Sequence, residues 1–311
     1  MDWRRSSLPV GEAAPIETFT LTAAKPGPLL AVFGGVHGDE PEGVFAARTI
    51  AGMALDLLCG EVVVVPVAHP AAFAANTRTS PEDNGNLARV FPGNPDGTPT
   101  ERVAAVLTEH ILSKADALID LHTAGRHYDM PLLAGFGSSG PGDARNTALK
   151  MAEAFGADVV WLHPGTSTGR TLSVMQARGK PAIYTEAPGG ARLERRPLDR
   201  YVEGVQRVMA ALGMLAPLAP LAAQALTVNG AGNTDEAGVT APVAGHFCAS
   251  VTVGQVVGAG DPLGHILRLD AQPLPIATPH DGAVMYLRRT ARIEAGDAIA
   301  ILARLGPGNG A

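Results

Sequence analysis

Between about residue 16 and residue 212, apolar runs of strand length alternate with amphipathic stretches of helix length. A chain patterned this way buries both kinds of element by laying helices over a sheet, so an α/β architecture is expected. The candidate strands span residues 29–33, 61–67, 117–121, 131–134, 159–162 and 182–185, each β-branched or leucine-rich and bounded by turn residues. The candidate helices span residues 41–57, 99–113, 143–155, 172–178 and 198–212. Thr98, Pro99 and Glu101 have capping-box spacing with proline at the first helical position, which satisfies orphan amides and presets the backbone. Between Val67 and Pro99 lies a long stretch of Asn, Pro, Gly and Arg without helical period, and a loop of that length in a compact domain is usually functional.

After residue 226 the texture changes to short strands and frequent glycine, so residues 1–225 are read as one domain and 226–311 as a second, all-β domain. The second contains a repeat. Pro242 and Gly245 are followed by Ala259-Gly260-Asp261, and Pro279 and Gly282 by Ala295-Gly296-Asp297. Two similar β units about a pseudo-twofold axis would each bury the face the other exposes. The pattern resembles the biotinyl/lipoyl-type β-sandwich. A carrier role is excluded by chemistry, because attachment of biotin or lipoate needs a lysine and none follows Lys180.

The formal net charge of −6 and pI near 5.8 leave no basic excess for a phosphate backbone, so nucleic acid is not an expected partner. The apolar stretch at residues 210–226 is broken by Pro217 and Pro220, which argues against a membrane span. The opening residues carry two arginines with no apolar run behind them, and the only cysteines, Cys59 and Cys248, fall in different domains. A cytoplasmic protein is expected; whether it forms a homo-oligomer is open.

Chemistry concentrates at strand ends. Gly34-Gly35-Val36-His37-Gly38-Asp39-Glu40 follows a buried strand and precedes a helix, where open α/β sheets bind ligands. An imidazole and a carboxylate three residues apart can converge on one cation, although by themselves they read equally well as a solvated loop. Ala117-Leu118-Ile119-Asp120-Leu121-His122-Thr123 is a second buried strand ending in a histidine, which taken alone is also a plain strand-end cap. Together His37, Glu40 and His122 match a His₂Glu catalytic zinc set with an open fourth position. A third strand ends in Glu186, followed by Ala-Pro-Gly-Gly; a carboxylate there could take a proton from water and pass it to a leaving nitrogen, or be a surface glutamate. Asp120 shares a strand face with His122 by the two-residue period and could brace it.

These three segments resemble the succinylglutamate desuccinylase/aspartoacylase family of the zinc carboxypeptidase superfamily, over roughly residues 28 to 305. The resemblance implies a three-layer α/β/α carboxypeptidase-like domain around a mixed sheet. It implies one Zn²⁺ per chain on His37, Glu40 and His122, with Glu186 as general base. It also implies that Arg78 polarises the scissile carbonyl, and that the segment at residues 86–89 supports a metal-binding histidine and grips a substrate carboxylate. Relatives read Asp-Leu-Asn-Arg there, and this chain reads Asn86-Leu87-Ala88-Arg89. Arg89 can still make a bidentate contact to a carboxylate, whereas Ala88 has no amide to offer. Asn86 could accept from a ligand histidine, but as a neutral group it raises ligand basicity less than aspartate.

His127 and Tyr128 follow His122 closely and could line the pocket. Arg170, in Gly165-Thr-Ser-Thr-Gly-Arg170, could meet an anionic substrate or simply charge a helix start. His69, His110, His163, His246, His265 and His280 show no partner in the sequence and are read as structural or solvated. The expected function is zinc-dependent hydrolysis of an amide in a small N-acyl amino acid or related metabolite, with a carboxylate-bearing small molecule as partner. The rivals are a metallocarboxypeptidase acting on short peptides and a non-catalytic protein that binds zinc or a small ligand.

Overall fold

The structure, a computed structural model, describes residues 2–231 and 238–306; the outer domain limits at residues 1 and 311 lie outside them. Its centre is a mixed sheet that begins with a hairpin of β1 (Arg4–Val10) and β2 (Ala13–Thr22). The sheet continues through β4 (Glu61–Val65), β3 (Leu29–Gly34), β5 (Ala117–Thr123) and β9 (Ala182–Ala187). Strands β4, β3, β5 and β9 are mutually parallel. Next come β7 (Leu133–Gly137), antiparallel to β9, and β8 (Val159–His163), parallel to β7.

Each strand sends alternate residues to opposite faces. Leu30, Val32, Ile119, Leu121 and Ile183 meet α1 (Pro41–Ile50), α4 (Gly142–Phe155) and α6 (Arg195–Ala211) on one face. Ala31, Phe33, Val65 and Leu118 meet α3 (Pro99–Leu107) and α5 (Thr171–Ala177) on the other. The fold is thus mixed α/β with helices on both faces. The expected first helix, residues 41–57, stops at Ile50: Gly52 disfavours continuation, and Leu55 and Leu57 reach the core from irregular backbone. The capping box at Thr98 and Glu101 forms, and α3 continues into a π-turn, Thr108–Leu112. The stretch after Val67 is less irregular than its sequence suggests. It holds the six-residue helix α2 (Pro70–Ala75) and a 3₁₀ turn, Leu87–Arg89, both too short to show a period.

The β-rich C-terminal part joins this sheet edge to edge. Strand β10 (Leu226–Asn229) runs parallel to β8 and antiparallel to β18 (Ala298–Leu305). Beyond it, β11 (Gly238–Thr240) and β16 (Gly282–Arg288) flank β18, β13 (Val256–Val257) extends from β16, and β6 (Tyr128–Asp129), far earlier in the chain, also pairs with β16. A second sheet of β15 (Ala271–Ala277), β14 (Pro262–Arg268), β12 (Gly245–Ala249) and β17 (Arg292–Ile293) encloses a separate core that includes Phe247, Leu263, Ile266 and Ile299.

The repeat has a reciprocal hydrogen-bond basis. In one unit the Gly260 amide donates to the Thr278 carbonyl and the Thr278 amide to the Asp261 carbonyl, both at 2.9 Å. In the other the Gly296 amide donates to the Ala241 carbonyl and the Ala241 amide to the Asp297 carbonyl, both at 2.8 Å. Each Ala-Gly-Asp turn therefore locks the start of the opposite unit. Among the described residues no helix is long and apolar enough to cross a membrane.

Candidate metal centre and active site

Strand β3 delivers His37 and Glu40 just beyond its C-terminal end. Gly38 is required there because a Cβ would stand 2.0 Å from the Ala72 backbone, which packs directly on the loop. Glu40 is the residue before α1, with Pro41 in the first turn, so its carboxylate lies at a helix N-terminus that favours negative charge. Neighbouring β5 brings His122 to the same point.

Glu40 is 1% exposed and organises the cluster. Its Oε1 lies 2.9 Å from His37 Nδ1 and accepts from Arg78 Nη1 at 2.8 Å. Its Oε2 lies 2.9 Å from His122 Nδ1 and accepts from the Thr123 amide at 3.0 Å. Burial alone would raise the Glu40 pKa, but the two imidazoles hold it well below the ordinary value. Burial lowers His37 to about 4 against the pull of Glu40, whereas His122, also buried, is carried well above its ordinary value by Asp120 and Glu40.

The donor set fits a cation. Asn86 Oδ1 accepts the Ala88 amide at 3.0 Å, which fixes it as the oxygen, and it lies 3.1 Å from His37 Nε2. His37 Nε2 therefore carries hydrogen. Asp120 Oδ2 lies 3.3 Å from His122 Nε2 and fixes the second ring in the same sense. Both Nδ1 lone pairs then face the Glu40 carboxylate, an arrangement that is repulsive unless a proton or a metal ion lies between them. The three ligand atoms fall within 4.8 Å of one another.

Glu186 stands beside this group on β9, in direct register with His122. Its Oε2 is buried and has no hydrogen-bond partner among the described residues. Burial first, and then the negative charge of Glu40, push its pKa well above the ordinary carboxylate value, so it readily holds a proton.

A cavity of about 560 Å³ opens over the cluster. Arg78, Ala88, Arg89 and Arg170 line it, and His127 lies exposed on its wall. Arg89 donates to the Ala88 carbonyl at 2.9 Å, and Arg170 also forms the start of α5. Asn86 does not line the cavity; it stands behind His37.

Three aromatic groups on the wall were not singled out from the sequence as site residues. His163 was read as structural or solvated, yet it lines the cavity with Tyr184 and hydrogen-bonds it at 2.6 Å. Tyr286, from the β-rich C-terminal part, lies on the same wall and packs on Tyr128 with ring centroids 4.3 Å apart. A signal for the first two existed. His163 ends a buried strand, as the site residues do, and Tyr184 shares the strand face of Glu186 two positions on.

Fold and cavity together define a mixed α/β protein with a buried His–Glu–His group that could hold a metal ion. Residues 26–212 match the model of the succinylglutamate desuccinylase/aspartoacylase catalytic domain, and the chain belongs to that family. It is 27% identical over 293 residues to the N-alpha-acetyl-L-2,4-diaminobutyric acid deacetylase of Halomonas elongata, covering 90% of this chain and 83% of that protein. The crystal structure of a succinylglutamate desuccinylase/aspartoacylase from Rhodobacter sphaeroides is 28% identical and superposes with a TM-score of 0.88, covering 98% of this chain and 96% of the other. The product-bound ectoine utilization protein EutE (DoeB) from Ruegeria pomeroyi is also 28% identical, with a TM-score of 0.85 and coverage of 94% and 89%.

Proposed function

We propose that this chain is a zinc-dependent hydrolase that cleaves the amide bond of a small N-acyl amino acid or related acylated metabolite. The observation that carries the reading is the placement of Glu186, whose buried Oε2 has no hydrogen-bond partner among the described residues, in register with His122 and beside the His37–Glu40–His122 group. The Halomonas relative, named for deacetylation of an N-acetyl amino acid, supports the substrate class.

His37, Glu40 and His122 would hold the zinc, which when bound supplies a Lewis acid that activates water and polarises the acyl oxygen. Glu186 takes the proton of the attacking water as its oxygen bonds to the acyl carbon. As the carbon–nitrogen bond breaks, the same proton passes to the leaving nitrogen, giving a carboxylate and an amine. The Arg78 guanidinium, held at the cavity edge by Glu40, offers its remaining donors to the charge that develops on the acyl oxygen. Arg89, on the same cavity, orients a substrate carboxylate.

The test is Glu186→Gln in the zinc-loaded protein. Hydrolysis of N-acetyl amino acids should fall by about 10²-fold or more while metal analysis still finds one zinc per chain. Unaltered turnover would overturn the assignment.

A further inference from the structure

Three of the four tyrosines in the chain, Tyr128, Tyr184 and Tyr286, line the one cavity over the His–Glu–His group. In a chain with 5% aromatic residues, composition alone does not account for that concentration. Tyr184 lies two residues before Glu186 on the same face of β9. Its ring crosses β7 over its register partner Gly135, where a Cβ would stand 2.3 Å from the ring. Its hydroxyl reaches His163 on β8, whose own register partner on β7 is Gly137. With glycine at both positions, β7 raises no side chain between the two rings.

The rings form one nearly continuous surface. Their centroids are 5.6 Å apart and their planes 28° apart, and the 2.6 Å hydrogen bond joins them at their edges. Each is half-buried and lines the cavity. Trp161, fully buried, packs on His163 with ring centroids 4.9 Å apart. The hydrogens of this surface are all committed. His163 Nδ1 lies 2.8 Å from the Gly230 carbonyl, which can only accept, so Nδ1 donates there. Burial keeps the imidazole neutral, with its pKa lowered to about 4, and Nε2 accepts the Tyr184 hydroxyl. With no donor left over, the surface offers a ligand chiefly its aromatic faces.

We infer that Tyr184 and His163 form an aromatic platform that receives a planar side chain on the amine part of the substrate, so that N-acyl derivatives of aromatic amino acids are preferred. The inference rests on the deacylase reading and deepens it. Across the sheet, the metal group sits at β3 and β5, Glu186 on β9, and β7 and β8 lie beyond. The nitrogen that takes its proton from Glu186 is on the platform side of the site, which makes the platform a subsite for the leaving amino acid. A planar ring stacks there in offset fashion, a contact that a puckered ring of the same size cannot make. The cavity, about 560 Å³, falls within the range of pockets that enclose ligands of drug size, about 300–1,000 Å³. A side-chain carboxylate would find no donor on the platform. Arg170 lines the same cavity and would favour such a carboxylate instead, which makes the glutamate derivative the natural competitor.

The experiment compares the zinc-loaded full chain on Nα-acetylphenylalanine, on Nα-acetyl-3-cyclohexylalanine, on Nα-acetylglutamate and on Nα-acetyl-2,4-diaminobutyrate. The phenylalanine derivative should lead the other three in kcat/KM, and should lead its cyclohexyl counterpart by about threefold to tenfold. Tyr184→Leu should abolish the lead over the cyclohexyl compound, mainly through KM, because the contact is made equally in ground and transition states. His163→Leu, which removes the anchor of the Tyr184 hydroxyl, should reduce the same lead. If one variant does not fold, the wild-type ranking and the other variant carry the test. Equal turnover of the cyclohexyl compound, better turnover of the glutamate or diaminobutyrate derivative, or a lead that both variants leave intact overturns the platform alone. Failure of all four substrates would instead count against the deacylase reading.

Discussion

His122 and Glu186 are direct register partners on adjacent parallel strands, so the spacing between an imidazole of the candidate metal centre and the proposed base is set by the sheet itself. Backbone hydrogen bonds hold both strands, and neither can slide to make up for a shorter side chain. Glu186→Asp, which withdraws the carboxylate by one methylene, should lower kcat by about 10²-fold with a smaller change in KM. Steady-state kinetics check this; near-normal kcat would show that the base does not need this placement.

On the proposed reading, Asn86 would act on the metal through its 3.1 Å contact with His37 Nε2. Removing its carbonyl in Asn86→Ala should weaken zinc affinity about 10- to 100-fold, and Asn86→Asp should strengthen it, because a carboxylate makes the imidazole a better ligand. Competition with a chelator measures both. Equal affinities across the series would refute the role.

Zinc should also stabilise the fold. The three ligand atoms converge only in the folded chain, so zinc binding there shifts the folding equilibrium by mass action, by about 2.7 kcal/mol at a hundredfold excess over Kd. Differential scanning calorimetry should record a higher Tm with zinc, and His122→Ala should lose both the shift and the bound metal. A shift of the same size in that variant would place the ion elsewhere.

Asp83 ties the loop that carries Asn86 and Arg89 to the start of α3, accepting from the Thr100 amide, the Thr100 hydroxyl and the Gly85 amide. Burial alone would raise its pKa, but these bonds hold it well below the ordinary carboxylate value. Its contribution is thus complete above the unfolded-state pKa and is lost as pH falls through the lower folded-state value. Asp83→Asn should cost about 1–2 kcal/mol at pH 7, and the gap to wild type should narrow below about pH 4. Urea titrations at the two pH values decide; a gap that widens in acid would contradict the sign.

Local chemistry made part of this site legible in the sequence. His37, Glu40, His122 and Glu186 each follow a buried apolar run, and the two-residue period of a strand fixes which of its residues share a face. That is enough to nominate residues, because it depends only on near neighbours in the chain. The capping box at Thr98 and the β-rich repeat after residue 226 were legible for the same reason. Tertiary structure decided what near neighbours cannot. The antiparallel insertion of β7 beside β9 carries β8 and His163 to Tyr184, 21 residues away in the chain. Strand β10 joins the two halves through one sheet, and the C-terminal Tyr286 reaches the cavity wall. The hydrogen bond from His163 Nδ1 to the Gly230 carbonyl is likewise made between segments that meet only when the sheet closes, and no periodicity in the sequence encodes it.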